Sequence, residues 1–299
     1  MVGVKRRAVI AVAALALLGA VARATTAATP PALGPPLPGW KHVATGALGG
    51  DVWSGVIANP RDARERASAV YLPPGFSRAH RYPVLYLLHG LPGSPAEFYG
   101  SLRLGRLMDG LIAGGRVVPM IVVMPAGADS ETAEWAGSWE TYVVHDVVPW
   151  VDAHLPTLRT ADARVLAGLC AGGYGAMDIG LRHPSLFGGL ESWQGYFAPV
   201  FRDGPFAHAP AAVLAANDPT LLVRREASTL HRDDTRFYVS VGGNHGDVLR
   251  SWSLQFAALL GELRLPHTLW QLPPSETGHF WRATMPAALE FASASVARL

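Results

Sequence analysis

The stretch RVLAGLCAGGYGAMDIGLR, running from Arg164 to Arg182, decides the fold. After Arg164 its next five residues are a continuous apolar run suited to a buried strand, and its last twelve read as a helix. Between them lies a glycine-rich turn with the chain's one cysteine, Cys170, at the apex. Gly168 and Gly172 stand two residues to either side. A side chain presented on a sharp strand-to-helix turn needs nearly bare neighbours at those positions, and G-x-S-x-G is the familiar form of the turn. Here a sulfur stands where that form has a hydroxyl. The next helix begins beneath the apex, where its dipole favours an anion. That placement predicts a thiol pKa below its usual value of about 8.5. The plainer alternative is a cysteine acting as a small apolar filler in a glycine turn.

Strands and helices alternate on both sides of this turn. ASAVYLPP from Ala67, PVLYLLHG from Pro83, VVPMIVVMPAG from Val117, FGGLESWQG from Phe187, RFYVSVGG from Arg236 and HTLWQLPP from His267 read as strands. LRLGRLMDGLIAGG from Leu102, TYVVHDVVPWVDAHLPT from Thr141, DVLRSWSLQFAALLGELRL from Asp247 and TMPAALEFASASVARL from Thr284 have helical period, with a kink expected at Pro149. Continuous apolar strands alternating with amphipathic helices predict an α/β fold, a mostly parallel central sheet with helices on both faces. Chemistry in such sheets collects at the carboxyl ends of the strands.

Composition narrows the class. The 299 residues are 49% hydrophobic and 16% charged, with a formal net charge of +2. They can bury one large core, and no basic stripe suits them to nucleic acid. Lys5, Arg6 and Arg7 precede an apolar run from Ala8 to Ala22, followed by small residues. That is the layout of a secretory signal over residues 1–24. As a helix the run spans about 22 Å, short of a hydrocarbon core of about 30 Å. A retained anchor is the alternative; otherwise no membrane span is expected after cleavage. Proline-dense residues 25–40 read as a linker and 41–299 as a single domain. Export would carry a lone thiol, with no internal disulfide partner, into an oxidising compartment.

The carboxyl-end rule selects the other candidate residues. An oxyanion hole needs two backbone N–H donors. Ala171 follows the apex and Leu91 follows the strand ending at His89 and Gly90. His89 itself reads as a brace for that loop. Of 11 histidines, His279 is the best placed to be the base, in the loop before the closing helix. His145 and His154 lie on the helical segment before the turn, and His231 lies in a charged run. Asp247 is the carboxylate after RFYVSVGG, although it also reads as the N-cap of the next helix; Glu276 is the substitute. Trp139 and Trp193, on strand-end loops, either line an apolar or sugar-stacking cleft or anchor loops to the core. No metal site is expected, because the histidines lack H-E-x-x-H spacing and no cysteine pair exists. SVGGNHGD lacks the lysine of a phosphate loop, so no nucleotide cofactor is expected either.

With these residues in place, the chain resembles the esterase family of α/β-hydrolases that includes esterase D, feruloyl esterases, enterochelin esterase and the secreted mycolyltransferases. The resemblance runs from about Ser68 to the C-terminus. It rests on YPVLYLLHGLPGS, ETYVVHDVVPWVDAHLPT, VLAGLCAGGYGAM, ESWQGYFAP and TGHFWRATMPAAL. It implies Cys170 as nucleophile, Leu91 and Ala171 as oxyanion donors and His279 as base. Two departures stand out: cysteine replaces the usual serine, and GGNHGD puts His245 near the place of the expected acid. The expectation is a secreted carboxylic-ester hydrolase or acyltransferase working through an acyl-thioester on a small-molecule or cell-envelope ester. The rival is an inactive esterase fold serving as a binding or cell-wall-associated module.

Overall fold

A computed structural model describes residues 36–127, 134–200, 204–243, 247–272 and 280–297. Nine strands form one sheet: β1 (Lys41–Thr45), β2 (Asp51–Val56), β3 (Ala67–Leu72), β4 (Val84–Leu88), β5 (Ile121–Met124), β6 (Arg164–Leu169), β7 (Gly189–Trp193), β8 (Arg236–Val241) and β9 (His267–Gln271), in the spatial order β1-β2-β3-β5-β4-β6-β7-β8-β9. Pairs from β5 through β4 and β6 to β9 are parallel, whereas β1, β2, β3 and β5 pair antiparallel. Every side chain of β4, β5, β6 and β7 is buried. That follows from covering both faces of a parallel sheet, and it is why these strands read as unbroken apolar runs. Strands β1 and β2 carry no such run, and sequence patterning did not anticipate them.

The helices are α1 (Ala96–Tyr99), α2 (Leu104–Ala113), α3 (Ser138–Thr141), α4 (Val148–His154), α5 (Ala171–Arg182), α6 (Ala211–Ala216), α7 (Pro219–Arg232), α8 (Val248–Glu262) and α9 (Phe280–Val296). One face of the sheet packs Val147, Val151, Met177, Leu222 and Phe256 from α4, α5, α7, α8 and the π-turn before α4. The other packs Met108, Leu111, Met285 and Leu289 from α2 and α9. Between α3 and α4, Tyr142–Val147 winds as a π-helix. Pro149 then falls in the first turn of α4, where its missing N–H costs little. The expected disruption is thus absorbed by a change of winding.

The signal-like residues and most of the proline-rich segment lie outside the described residues. The last part of that segment is not a linker, however. Leu37 is buried in the core. Trp40 stacks on Trp150 at 5.2 Å and lies so close on Gly55 that a Cβ there would overlap its ring. Among the described residues packing therefore reaches back to Leu37, four residues before the expected domain start at 41, because two apolar side chains among the prolines find partners.

Candidate active site

Strand β6 ends at Leu169, and Cys170 turns the chain directly into α5 with φ 53° and ψ −116°. A non-glycine residue held there is strained, and the surroundings show what holds it. The Cys170 N–H donates to the Trp193 carbonyl at 3.0 Å, while its own carbonyl accepts from Gly173 and Tyr174 N–H at 2.9 and 3.1 Å. A Cβ on Gly168 would overlap the backbone of Gly172, and one on Gly172 would overlap the carbonyls of Leu88 and His89. The two bare positions are therefore a packing requirement between β6, α5 and the end of β4.

The loop after β4 closes over the same point. A Cβ built on Gly90 would stand 3.4 Å from the Cys170 Cβ. The Leu91 side chain packs against a cluster containing Ala171, Tyr174 and Tyr196. Among the described residues no carbonyl takes the N–H of Leu91 or of Ala171. The Ala171 N–H faces the sulfur. Cys170 itself is free and partly exposed.

His89 is buried, and its Nδ1 lies 2.7 Å from the Gly90 carbonyl, which can accept only if Nδ1 carries the proton. Its backbone carbonyl accepts from Trp135 Nε1 at 2.9 Å. Burial pulls the ring pKa down to about 4, so the imidazole is neutral. His89 braces the loop.

The thiol itself departs from expectation. Burial pushes its pKa up first; the Ala171 N–H works in the opposite direction, and the charges of Glu134 and Glu97 add to the rise. The helix terminus beneath the sulfur is outweighed by desolvation and two carboxylates. Glu134, which sequence reasoning missed, is buried, and its carboxylate oxygens lie 2.6 and 2.7 Å from the Tyr196 hydroxyl. Tyr196 stacks on Tyr174 at 5.0 Å. One acidic residue among several in the stretch ADSETAEW resembles a solvated surface group, and its contact with a tyrosine far along the chain is not visible in the local pattern.

Asp247 caps α8: its Oδ1 accepts from Leu249 N–H at 2.9 Å and Arg250 N–H at 3.4 Å, while Gln194 Nε2 donates to Oδ2 at 3.4 Å. His279 and Glu276 lie outside the described residues. Phe280, the residue after His279, is buried against the end of β8, where a Cβ on Gly242 would overlap its ring. Trp193 is fully buried and donates to Glu191 Oε2 at 2.8 Å. The cleft role weighed for it is therefore corrected: on a strand it shares a face with Glu191 and belongs to the core. Trp139 stands edge-on to Trp135 and Tyr142 with Arg66 over its ring. It lines a cavity of about 110 Å³ with Ile57, Asn59 and Ala126. Among the described residues no group of three or more His, Cys, Asp or Glu could hold a metal, and no helix is long and apolar enough to cross a membrane.

A strained strand-to-helix apex at the carboxyl edge of a mostly parallel, helix-covered sheet defines an α/β-hydrolase fold. A profile of the family described as "Putative esterase" matches residues 61–276, and the chain belongs to that family. Over 150 residues it is 34% identical to an endo-1,4-beta-xylanase/feruloyl esterase of Xylanibacter ruminicola, covering 45% of this chain and 20% of that protein. Over 134 residues it is 33% identical to an esterase of Mycobacterium tuberculosis, covering 42% and 28%. The chain thus spans under a third of the length of these relatives. In shape it is similar to a ferulic acid esterase (TM-score 0.71, 20% identity, 82% of this chain and 98% of that one). It is also similar to an S-formylglutathione hydrolase of Agrobacterium tumefaciens (TM-score 0.65, 18% identity, 86% and 98%).

Proposed function

We propose that the chain is an exported carboxylic-ester hydrolase that acylates Cys170. The observation that carries this reading is the apex itself, where a partly exposed sulfur is held at φ 53° with the Leu91 loop closed against it. His279 removes the thiol proton as sulfur attacks the ester carbonyl carbon. The resulting oxyanion accepts from the Leu91 and Ala171 N–H groups, each contributing about 3 kcal/mol by analogy with other such sites. Collapse breaks the carbon–oxygen bond, and the imidazolium returns its proton to the leaving alkoxide. Water, deprotonated by His279, then attacks the thioester and releases the acid and the restored thiol.

The raised thiol pKa means that Cys170 is protonated at rest. Attack therefore needs a base in the same step, and no standing thiolate is available. Asp247 is the carboxylate we assign to orient His279. Its Oδ1 is occupied by the helix cap, leaving Oδ2 toward Gln194. Trp139 is retained as a candidate substrate contact. Export is supported by the basic and apolar pattern of residues 5–22.

The feruloyl esterase names of the relatives suggest a hydroxycinnamoyl ester as the acyl class. The test compares methyl ferulate and p-nitrophenyl acetate hydrolysis by the wild type, Cys170→Ala and Cys170→Ser. We expect at least a hundredfold loss in Cys170→Ala. Equal rates in wild type and Cys170→Ala would overturn the reading and leave a binding protein built on an esterase fold.

A further inference from the structure

Away from Cys170, helices α2 and α9 border an open groove of about 510 Å³, within the range of about 300–1,000 Å³ usual for ligand pockets. Four arginines line it: Arg103, Arg106, Arg116 and Arg282. Among the described residues no acidic side chain does. Arg116 pairs with Glu290, and Arg282 donates to the Ser101 carbonyl at 3.0 Å. Arg103 and Arg106 are exposed and have no ion-pair partner among the described residues. In a chain whose formal net charge is only +2, such one-signed clustering creates a local field that attracts anions.

The walls are of a different kind. Half-buried Leu102 and Leu107 supply apolar surface, with the buried Leu111 and Met285 packed beneath. Gly110 leaves space in the helix surface between them, for a Cβ there would meet nothing within 4 Å. A cationic rim over an apolar floor matches a ligand of two chemistries. An oxyanion head can accept paired N–H bonds from guanidinium forks, and a hydrocarbon chain can leave water along the leucines.

We propose that this groove binds a single molecule of an anionic amphiphile, a phosphate- or carboxylate-headed alkyl or acyl chain. The head sits on Arg103, Arg106 and Arg282, and the tail runs along Leu102 and Leu107 past Gly110. The site does not depend on chemistry at Cys170, and the Cys170→Ala protein binds equally.

The test is calorimetric titration of the full chain with decyl phosphate below its aggregation concentration. Decyl maltoside, inorganic phosphate and phosphatidylglycerol vesicles are titrated alongside. Decyl phosphate is expected to bind at least tenfold more tightly than either the neutral amphiphile or phosphate alone. Arg103→Ala/Arg106→Ala together weaken it tenfold or more. Gly110→Leu, which fills the floor without touching a charge and suits a helix better than glycine, weakens it likewise. Far-ultraviolet circular dichroism melts confirm that each variant is folded; if one is not, the other decides. Unchanged affinity in a folded variant would overturn the proposal. So would equal binding of decyl maltoside or of phosphate alone, or binding to vesicles with none to monomeric decyl phosphate.

Discussion

The Tyr196 hydroxyl bridges both carboxylate oxygens of Glu134, at 2.6 and 2.7 Å, close enough to Cys170 for that charge to hold the thiol pKa up. The tyrosine makes a buried carboxylate tolerable; the carboxylate makes a thiolate less so. Replacing Glu134 by Gln keeps the shape and removes the charge. The rate of iodoacetamide labelling of Cys170 then shifts to lower pH in Glu134→Gln, measured as a pH–rate profile. Tyr196→Phe removes one hydroxyl donor from this buried carboxylate and costs about 1–3 kcal/mol, read as a lower melting temperature.

The apex depends on close backbone packing. Gly172→Ala places a methyl group against the carbonyls of Leu88 and His89, and neither belongs to a flexible side chain. We expect a loss of about 2–4 kcal/mol, in the range of severe core overpacking, measured by urea denaturation. Activity should fall further than stability does, because the Leu91 loop is pushed from the sulfur.

Stability should decline toward alkaline pH through Glu191. This carboxyl is fully buried, with Oε2 accepting from Trp193 and Oε1 without a partner among the described residues. Burial raises its pKa from the ordinary 4.5 to about 8. The folded protein thus holds a proton that the unfolded chain gives up. The contribution is full below pH 4.5 and is lost as pH rises through about 8. His89 acts in the opposite sense: its ring, lowered to about 4 by burial, contributes stability above its ordinary 6.5 that is lost as pH falls through about 4. Denaturation midpoints measured from pH 4 to 9 should trace both limbs, and Glu191→Gln should flatten the alkaline one.

Asp109 offers a control away from the chemistry. From the buried side of α2 it accepts from Leu48 N–H at 2.7 Å, Gly50 N–H at 3.2 Å and the Tyr71 hydroxyl at 2.9 Å. It thereby pins the β1–β2 turn to the helix. Asp109→Ala should cost about 3 kcal/mol, the scale of losing charge-assisted bonds to buried donors. Calorimetric melting reads this loss, and ester hydrolysis by the folded fraction should stay unchanged.

The parts of the fold legible in sequence are those where one physical demand leaves one pattern. Strands β4 to β6 are apolar on both faces because both are covered, and Gly168 and Gly172 are bare because backbone fills the space a Cβ would need. Strand β1 was hidden because its side chains are mostly exposed. Helix α7 was hidden by its polar composition, although Asp218 before Pro219 was a readable start: its carboxylate caps Thr220 and Leu221. Around the site, the Leu91 loop was legible from its strand end. Glu134 was not, since its burial is decided by a tyrosine 62 residues on. Of the two readings open for Trp193, its burial selects the core anchor, and its spacing of two from Glu191 on a strand was the available clue.

Leu37 and Trp40 also decide how much of the N-terminal side a shortened chain can lose. A start at or before Leu37 keeps the buried leucine and the indole stacked on Trp150. A start after Trp40 bares the Trp150 ring and removes the wall against Gly55, so the shortened protein should melt earlier.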